Sequence, residues 1–241
     1  MKISDLIDKI VNWDNRLILK YNGFGGKVIT NLLKGASFFG RETTWLILSF
    51  FFLFIWYDPI YFSYISGAFI IGVIFIAPTK KIINRERPFE KLKEVKLLEN
   101  KPTSGSFPSW HVYNVTVQGL IFGFLLNSLM FMLLSLIFTF IVSFSRIQLG
   151  AHFPSDVIFG FLIGIIGFFS TIFFLAPMIK NILSFFELNF SSMIFYHKIN
   201  PLLAQNIFYL FFCITLFCLI LIIGFQKRIA MLLKKSRSRQ T

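Results

Sequence analysis

Long apolar runs separated by short polar junctions set the pattern of this chain. Six runs fall at residues 43–57, 60–77, 112–126, 129–145, 157–179 and 207–225. A helix crossing the hydrocarbon core takes about 20 residues, so the first and third runs must borrow polar flanks. Trp45, Trp56 and Tyr57 stand where an aromatic belt anchors a span. Asp58-Pro59 and Asn127-Ser128 are turn signals that fold neighbouring runs into tight helical hairpins. Gly160, Gly164 and Gly167 share one face of the fifth run, so another helix can approach closely there. The expected fold is all-α: a polytopic membrane bundle of about six transmembrane helices.

The flanks read differently. Residues 1–42 are amphipathic and broken by glycines 23, 25 and 26, which predicts short helices lying at the interface. Residues 43–180 form the expected catalytic membrane core. Residues 181–196 are apolar but interrupted by Glu187 and Asn189, so a surface or re-entrant helix is expected there. A further span and a basic tail with a disordered end complete residues 181–241. The charged first residues contain no signal-peptide core, and no cleavable signal is expected.

Composition supports lipid as the solvent. Of 241 residues, 56% are hydrophobic and the mean hydropathy is +0.72, whereas soluble domains average about 45–50% apolar. The net charge of +13 would suggest nucleic acid in a soluble protein. Here the charges lie between apolar runs, so anionic lipid headgroups or a lipid phosphate substrate are the expected partners, with no nucleic acid. Cys213 and Cys218 sit in an apolar run on different helix faces and read as packing residues. No metal site and no cofactor are expected.

Six spans place residues 78–110 and 145–156 on one side, where the unusual polar residues concentrate. Lys80 and Arg87 are two helical turns apart and can point the same way if the second helix continues, with Pro88 ending it. Alone, such a pair is usually a snorkelling positive flank. At the second junction Arg146 closes a helix, Gly150 permits a turn, and Pro154 suits a first helical turn. Asp156 can then bond one ring nitrogen of His152 and leave the other free to attack. The bland alternatives are helix-cap chemistry for Asp156 and a satisfied interfacial histidine for His152. Ser109-Trp110-His111 opens the third run, so a helix N-terminus with the Ser109 hydroxyl could cradle phosphate oxygens beside a general acid, His111. A cap serine and a belt tryptophan are the bland reading there. His197, on the other side, has no comparable surroundings.

Together these segments resemble the type 2 phosphatidic acid phosphatase superfamily, which includes vanadium haloperoxidases. Its signature is K-x6-R-P, then P-S-G-H, then S-R-x5-H-x3-D. The chain carries Lys80…Arg87-Pro88, Pro108-Ser109-Trp110-His111 and Ser145-Arg146…His152…Asp156, with Trp110 in place of glycine. The resemblance implies a metal-independent lipid phosphatase acting through phosphohistidine. His152 would be the nucleophile held by Asp156, and His111 would protonate the leaving group and then help activate water. Lys80, Arg87, Ser109, Arg146 and the Trp110 backbone N–H would bind the phosphoryl oxygens, with the indole turned toward lipid or the pocket wall. Phosphatidic acid, phosphatidylglycerol phosphate, undecaprenyl diphosphate and lipid A phosphate all suit such a pocket. A lipid phosphotransferase on the same fold and a non-catalytic scaffold or transporter are the alternatives. The abundant Phe, Ile and Lys hint at an AT-rich bacterial genome, so a bacterial inner membrane is expected. All Lys and Arg except Lys180 and Lys198 lie on the catalytic side, which the positive-inside rule places in the cytoplasm. The resembled family usually works outside the cytoplasm or in a lumen. Taking residues 181–196 as a seventh span would put the tail inside and the site outside, and an extracytoplasmic site is the expectation.

Overall fold

The computed structural model describes residues 3–190 and 194–237. The described residues form an all-α membrane bundle. Four helical stretches are long and apolar enough to cross a membrane: Pro59–Lys91, Leu129–Gln148, Pro154–Asn189 and Ile207–Gly224. Helix α1 (Ile3–Tyr21) precedes α2 (Gly26–Phe38), which bends by 40° into the segment Glu42–Ile55. That segment is α3 (Glu42–Phe50) plus a π-helical turn, and it reaches crossing length only together with α2. The expected count of six is therefore approximate.

Helix α4 (Pro59–Ile83) starts where its sequence says. Asp58 caps it by accepting from the Ile60 and Tyr61 N–H groups, both at 3.0 Å, ahead of Pro59 in the first turn. A single turn, α5 (Pro88–Lys91), follows in the long loop to α6 (Trp110–Leu125). At 16 residues, or roughly 24 Å, α6 is shorter than a span, yet it is the axis of the bundle. It packs against α4, α7 (Leu129–Gln148) and α8 (Pro154–Ser170). Its buried polar groups bond to α4 carbonyls: the Tyr113 hydroxyl donates to Ala68 O at 2.6 Å and Gln118 Nε2 to Ile65 O at 3.0 Å. The glycine stripe of α8 lies on α6 at backbone distance. A Cβ at Gly160 would stand 2.6 Å from the Ser109 carbonyl oxygen, and one at Gly164 2.6 Å from Thr116 Cβ.

One expectation changes. Residues 181–190 are not a separate surface or re-entrant helix. They belong to α9 (Ala176–Phe190), which continues α8 through a π-helical turn at Thr171–Leu175. The resulting 36-residue helix, about 54 Å long, outreaches a bilayer of about 40–45 Å. Glu187 is held at its far end by the Tyr57 hydroxyl, 2.8 Å away. That end also carries His197, whose Nδ1 lies 3.1 Å from Asp58 Oδ2, remote from the polar junctions. Past a single turn, α10 (Leu202–Gln205), helix α11 (Ile207–Arg237) returns across the bundle. Its Tyr209 hydroxyl donates to Phe54 O at 2.8 Å at one end, and its Gly224 abuts Thr43 at the other. No seventh span intervenes among the described residues, so the C-terminal end of α11 shares the side of the polar junctions. The tail's expected disordered end, 238–241, lies outside the described residues.

The N-terminal helices, expected at the interface, also cap the junctions and pack on α7 and α8. Ile18 joins Val95 and Phe153 in a buried cluster, and Gln148 Nε2 donates to Thr30 Oγ1 at 2.7 Å. Reporters fused to the C-terminus and inserted within residues 89–103 are expected to mark the same compartment. Opposite compartments would refute this topology.

Candidate active site

Helix α4 stops at Ile83 because Asn84 turns left-handed (φ 40°), its N–H closing on Lys80 O at 3.0 Å. Lys80 and Arg87 therefore do not share one continuing helix. They converge through the returning loop: Lys80 Nζ donates to Gly105 O at 2.9 Å and Arg87 to the same oxygen at 3.2 Å. Arg87 also donates to Ser104 O (2.9 Å) and Ala151 O (2.8 Å). Arg146, in the last turn of α7, completes the cluster. All three cations are buried, with 8%, 4% and 2% exposure in chain order.

The α7–α8 junction turns at Gly150 (φ 73°), and Pro154 opens α8. His152 lies between them, its Nε2 3.3 Å from Arg87 Nη1. Burial first, and then the charges of Arg87, Lys80 and Arg146, hold its pKa well below the ordinary 6.5, so the imidazole is neutral. A neutral ring accepting at Nε2 carries its proton on Nδ1, which faces Asp156 Oδ2 at 3.6 Å. That gap is longer than the hydrogen bond expected from the sequence, and His152 Nδ1 has no hydrogen-bond partner among the described residues. Asp156 is engaged elsewhere: Oδ2 accepts from the Phe153 N–H at 2.8 Å and Oδ1 from Arg85 at 2.7 Å.

The start of α6 supplies the third part. The Ser109 N–H donates to Asp156 O at 2.9 Å, tying the two junctions together, while its fully buried hydroxyl has no partner among the described residues and makes no cap bond. His111 packs on the α2–α3 turn so tightly that a Cβ on Gly40 would lie 2.7 Å from His111 Cβ. The Trp110 indole turns toward α4, edge-on to Phe69 with centroids 6.3 Å apart.

Lys80, Arg87, His111, Arg146 and His152 line one end of a cavity of about 890 Å³. Leu46, Phe69, Val73, Ala77 and Trp110 line an apolar end of the same cavity. Besides the Ser109 hydroxyl, Trp110 Nε1, Arg146 Nε and His152 Nδ1 are buried without a partner among the described residues. Unsatisfied buried polar atoms are rare, and Trp110, Arg146 and His152 carry theirs while lining the cavity, where a ligand could meet them. The cationic end fits an anion able to accept from several donors at once.

A family model described as the PAP2 superfamily matches residues 59–179, half of the chain. The chain belongs to the PAP2 superfamily. It is 30% identical over 165 residues to an undecaprenyl-diphosphatase from Sulfolobus acidocaldarius, covering 68% of this chain and 76% of that one. The crystal structure of Aquifex aeolicus LpxE has the same fold, with a TM-score of 0.57 at 22% identity over 65% of this chain and 93% of that one. So does a transmembrane PAP2-type phosphatidylglycerolphosphate phosphatase from Bacillus subtilis, with a TM-score of 0.56 at 20% identity over 68% and 84%.

Sequence reasoning missed Asp14, Arg85 and Glu99. Glu99 forms a two-oxygen clamp on Arg146: Oε2 accepts at 2.9 Å, and Oε1 accepts from the other guanidinium nitrogen. Ser37 Oγ accepts from the same guanidinium at 2.7 Å. The mixed charge of the loop was the available signal for Glu99. In this PAP2 site a carboxylate thus occupies a guanidinium fork that suits phosphate equally well. Glu99→Gln is expected to tighten inhibition by inorganic phosphate several-fold. An unchanged inhibition constant would show that Glu99 does not compete for Arg146.

Proposed function

We propose that the protein is a membrane lipid phosphatase whose substrate class is polyprenyl diphosphates. One observation carries this reading: a cluster of three buried cations and two histidines closes one end of a cavity whose other end is apolar. A phosphoryl group fits the first end and an isoprenoid chain the second. Val73 and Ile223, on the cavity wall, are exposed apolar residues, a surface that suits an isoprenoid chain. The undecaprenyl-diphosphatase relative supports the same choice.

His152 Nε2 attacks the terminal phosphorus. The N–P bond forms as the bond to the bridging oxygen breaks. His111, whose pKa is held well below the ordinary 6.5 by burial first and then by the charges of Arg146, Arg41, Lys80 and Arg87, is protonated as the anionic substrate binds and gives that proton to the departing lipid phosphate. Lys80, Arg87 and Arg146 face the equatorial oxygens, with Ser109 and the first N–H groups of α6 behind them, and stabilise charge there. In the second step His111 takes a proton from water, the oxygen attacks phosphorus, and the N–P bond breaks to release inorganic phosphate and neutral His152. The cations supply the charge stabilisation, so no divalent ion is required.

Trp110 tunes the substrate and not the chemistry. Its indole narrows the passage beside Phe69, Val73 and Ala77, which suits a slim isoprenoid over a two-chain glycerophospholipid. Purified protein with a chelator present is expected to release phosphate from farnesyl diphosphate faster than from phosphatidic acid. His152→Ala should lower that rate by about 1,000-fold or more, as loss of a nucleophile does. Wild-type inactivity across both lipids would favour a non-catalytic role. Trp110→Gly is expected to shift the preference toward phosphatidic acid, and an unchanged ratio would remove the indole from substrate choice.

A further inference from the structure

A guanidinium outside the signature links the first helix to the carboxylate beside His152. Asp14, in α1, is fully buried. Its carboxylate accepts from Arg85 Nη2 at 2.7 Å, from the Ser155 N–H at 2.8 Å and from the Ser155 hydroxyl at 2.5 Å. Arg85 lies over the Phe153 ring, 4.4 Å from its centroid, and sends Nη1 to Asp156 Oδ1 at 2.7 Å and to Ser155 Oγ at 2.7 Å. One guanidinium thus bridges two buried carboxylates.

We propose that Arg85 and Asp14 are positioning residues for phosphoryl transfer: they aim the Asp156 carboxylate at His152 Nδ1 and set the net charge facing the imidazole. The inference rests on His152 being the nucleophile. When Nε2 takes up the phosphoryl group, Nδ1 keeps its proton and the ring becomes cationic. An isolated Arg85–Asp156 pair would be neutral and give that cation little support. Asp14 restores the charge, because two carboxylates and one guanidinium sum to −1. The fork also reaches both carboxylates at once, Nη1 to Asp156 and Nη2 to Asp14, which the single point charge of a lysine cannot do.

The charged groups around His152 and Asp156 make that anion matter. Lys80 from α4, Arg87 from the loop, Arg146 from α7 and His111 from α6 all act against a cationic His152. Arg85 and Asp14 act on Asp156 from the other side. The simpler alternative is that the network only docks α1 on the bundle. Docking alone lowers stability when broken but leaves the pH dependence of the folded enzyme in place.

The test uses the full chain in detergent with farnesyl diphosphate as substrate. Asp14→Asn is expected to lower kcat by roughly 10-fold to 100-fold, as loss of a group behind an oriented histidine does. KM should stay within about twofold, since ground-state binding is untouched. Removing an anion makes protonation of His152 harder, so the acid limb of kcat/KM should move to lower pH. Asp14→Glu should recover part of kcat. Folded Asn-variant protein with wild-type kcat and an unmoved acid limb would overturn the proposal, as would a loss that vanishes once activity is expressed per folded molecule. If Asp14→Asn does not fold, Arg85→Lys decides: it keeps the charge without the fork, so a fall in kcat is expected and wild-type kcat overturns the idea. Activity surviving in His152→Ala would instead sink the nucleophile assignment, whereas a dead His152→Ala beside normal Asp14 and Arg85 variants would sink only the network.

Discussion

Three like charges brought together away from water are the constraint on which this structure turns. Lys80, Arg87 and Arg146 are each almost fully buried, and charges at membrane depth are expensive unless they are partnered. The fold answers with main-chain oxygens. The loop between α4 and α6 returns Ser104, Gly105 and Ser106 carbonyls to Lys80 and Arg87, and the α7–α8 junction returns that of Ala151. Carbonyl dipoles solvate the cations without cancelling them, so the cluster remains an anion trap. Glu99 supplies one full counter-charge, on Arg146. On the proposed mechanism a dianionic phosphoryl group balances the rest.

That constraint explains the N-terminal helices. An amphipathic segment that only rested on the interface would have no reason to bury an aspartate completely. Here α1 brings Asp14, α2 brings Ser37 and the turn beyond α2 brings Gly40, each against a different part of the site. Asp14 thus balances Arg85 and Ser37 accepts from Arg146, so the N-terminal helices become part of the site's electrostatics. Breaking such a buried pair costs about 3–5 kcal/mol, because the remaining charge is left alone.

How much of this was legible in the sequence follows from the range of each signal. The turns at Asp58-Pro59 and Asn127-Ser128 are local signals, and α4 and α7 start there, with Asp58 and Ser128 as their caps. The spacing of Arg146, His152 and Asp156 is likewise local, set by one helix end, one turn and one helix start. The glycine stripe announced a close approach, and α6 is what approaches. Arg85, Asp14 and Glu99 were hidden because their partners lie 71, 141 and 47 positions away, where no periodicity connects them. Lys80 and Arg87 converge for a different reason from the one their spacing suggests, because Asn84 ends the helix before Arg87 is reached. The run at 181–196 misled because a break in hydropathy need not be a break in a helix, and α9 carries Glu187 past the core to a tyrosine.

Trp110 shows how a signature position can change without the chemistry changing. The residue opens α6, so its backbone is helical and no glycine conformation is needed there. Its N–H remains at the helix start, among the donors a phosphate would use. What the substitution adds is a ring, and α4 receives it against Phe69. The added bulk therefore lies on the apolar wall of the cavity, away from the carbonyl-held cations. On the proposed mechanism the cations determine that a phosphoryl group is transferred, while the indole determines which lipid can bring one.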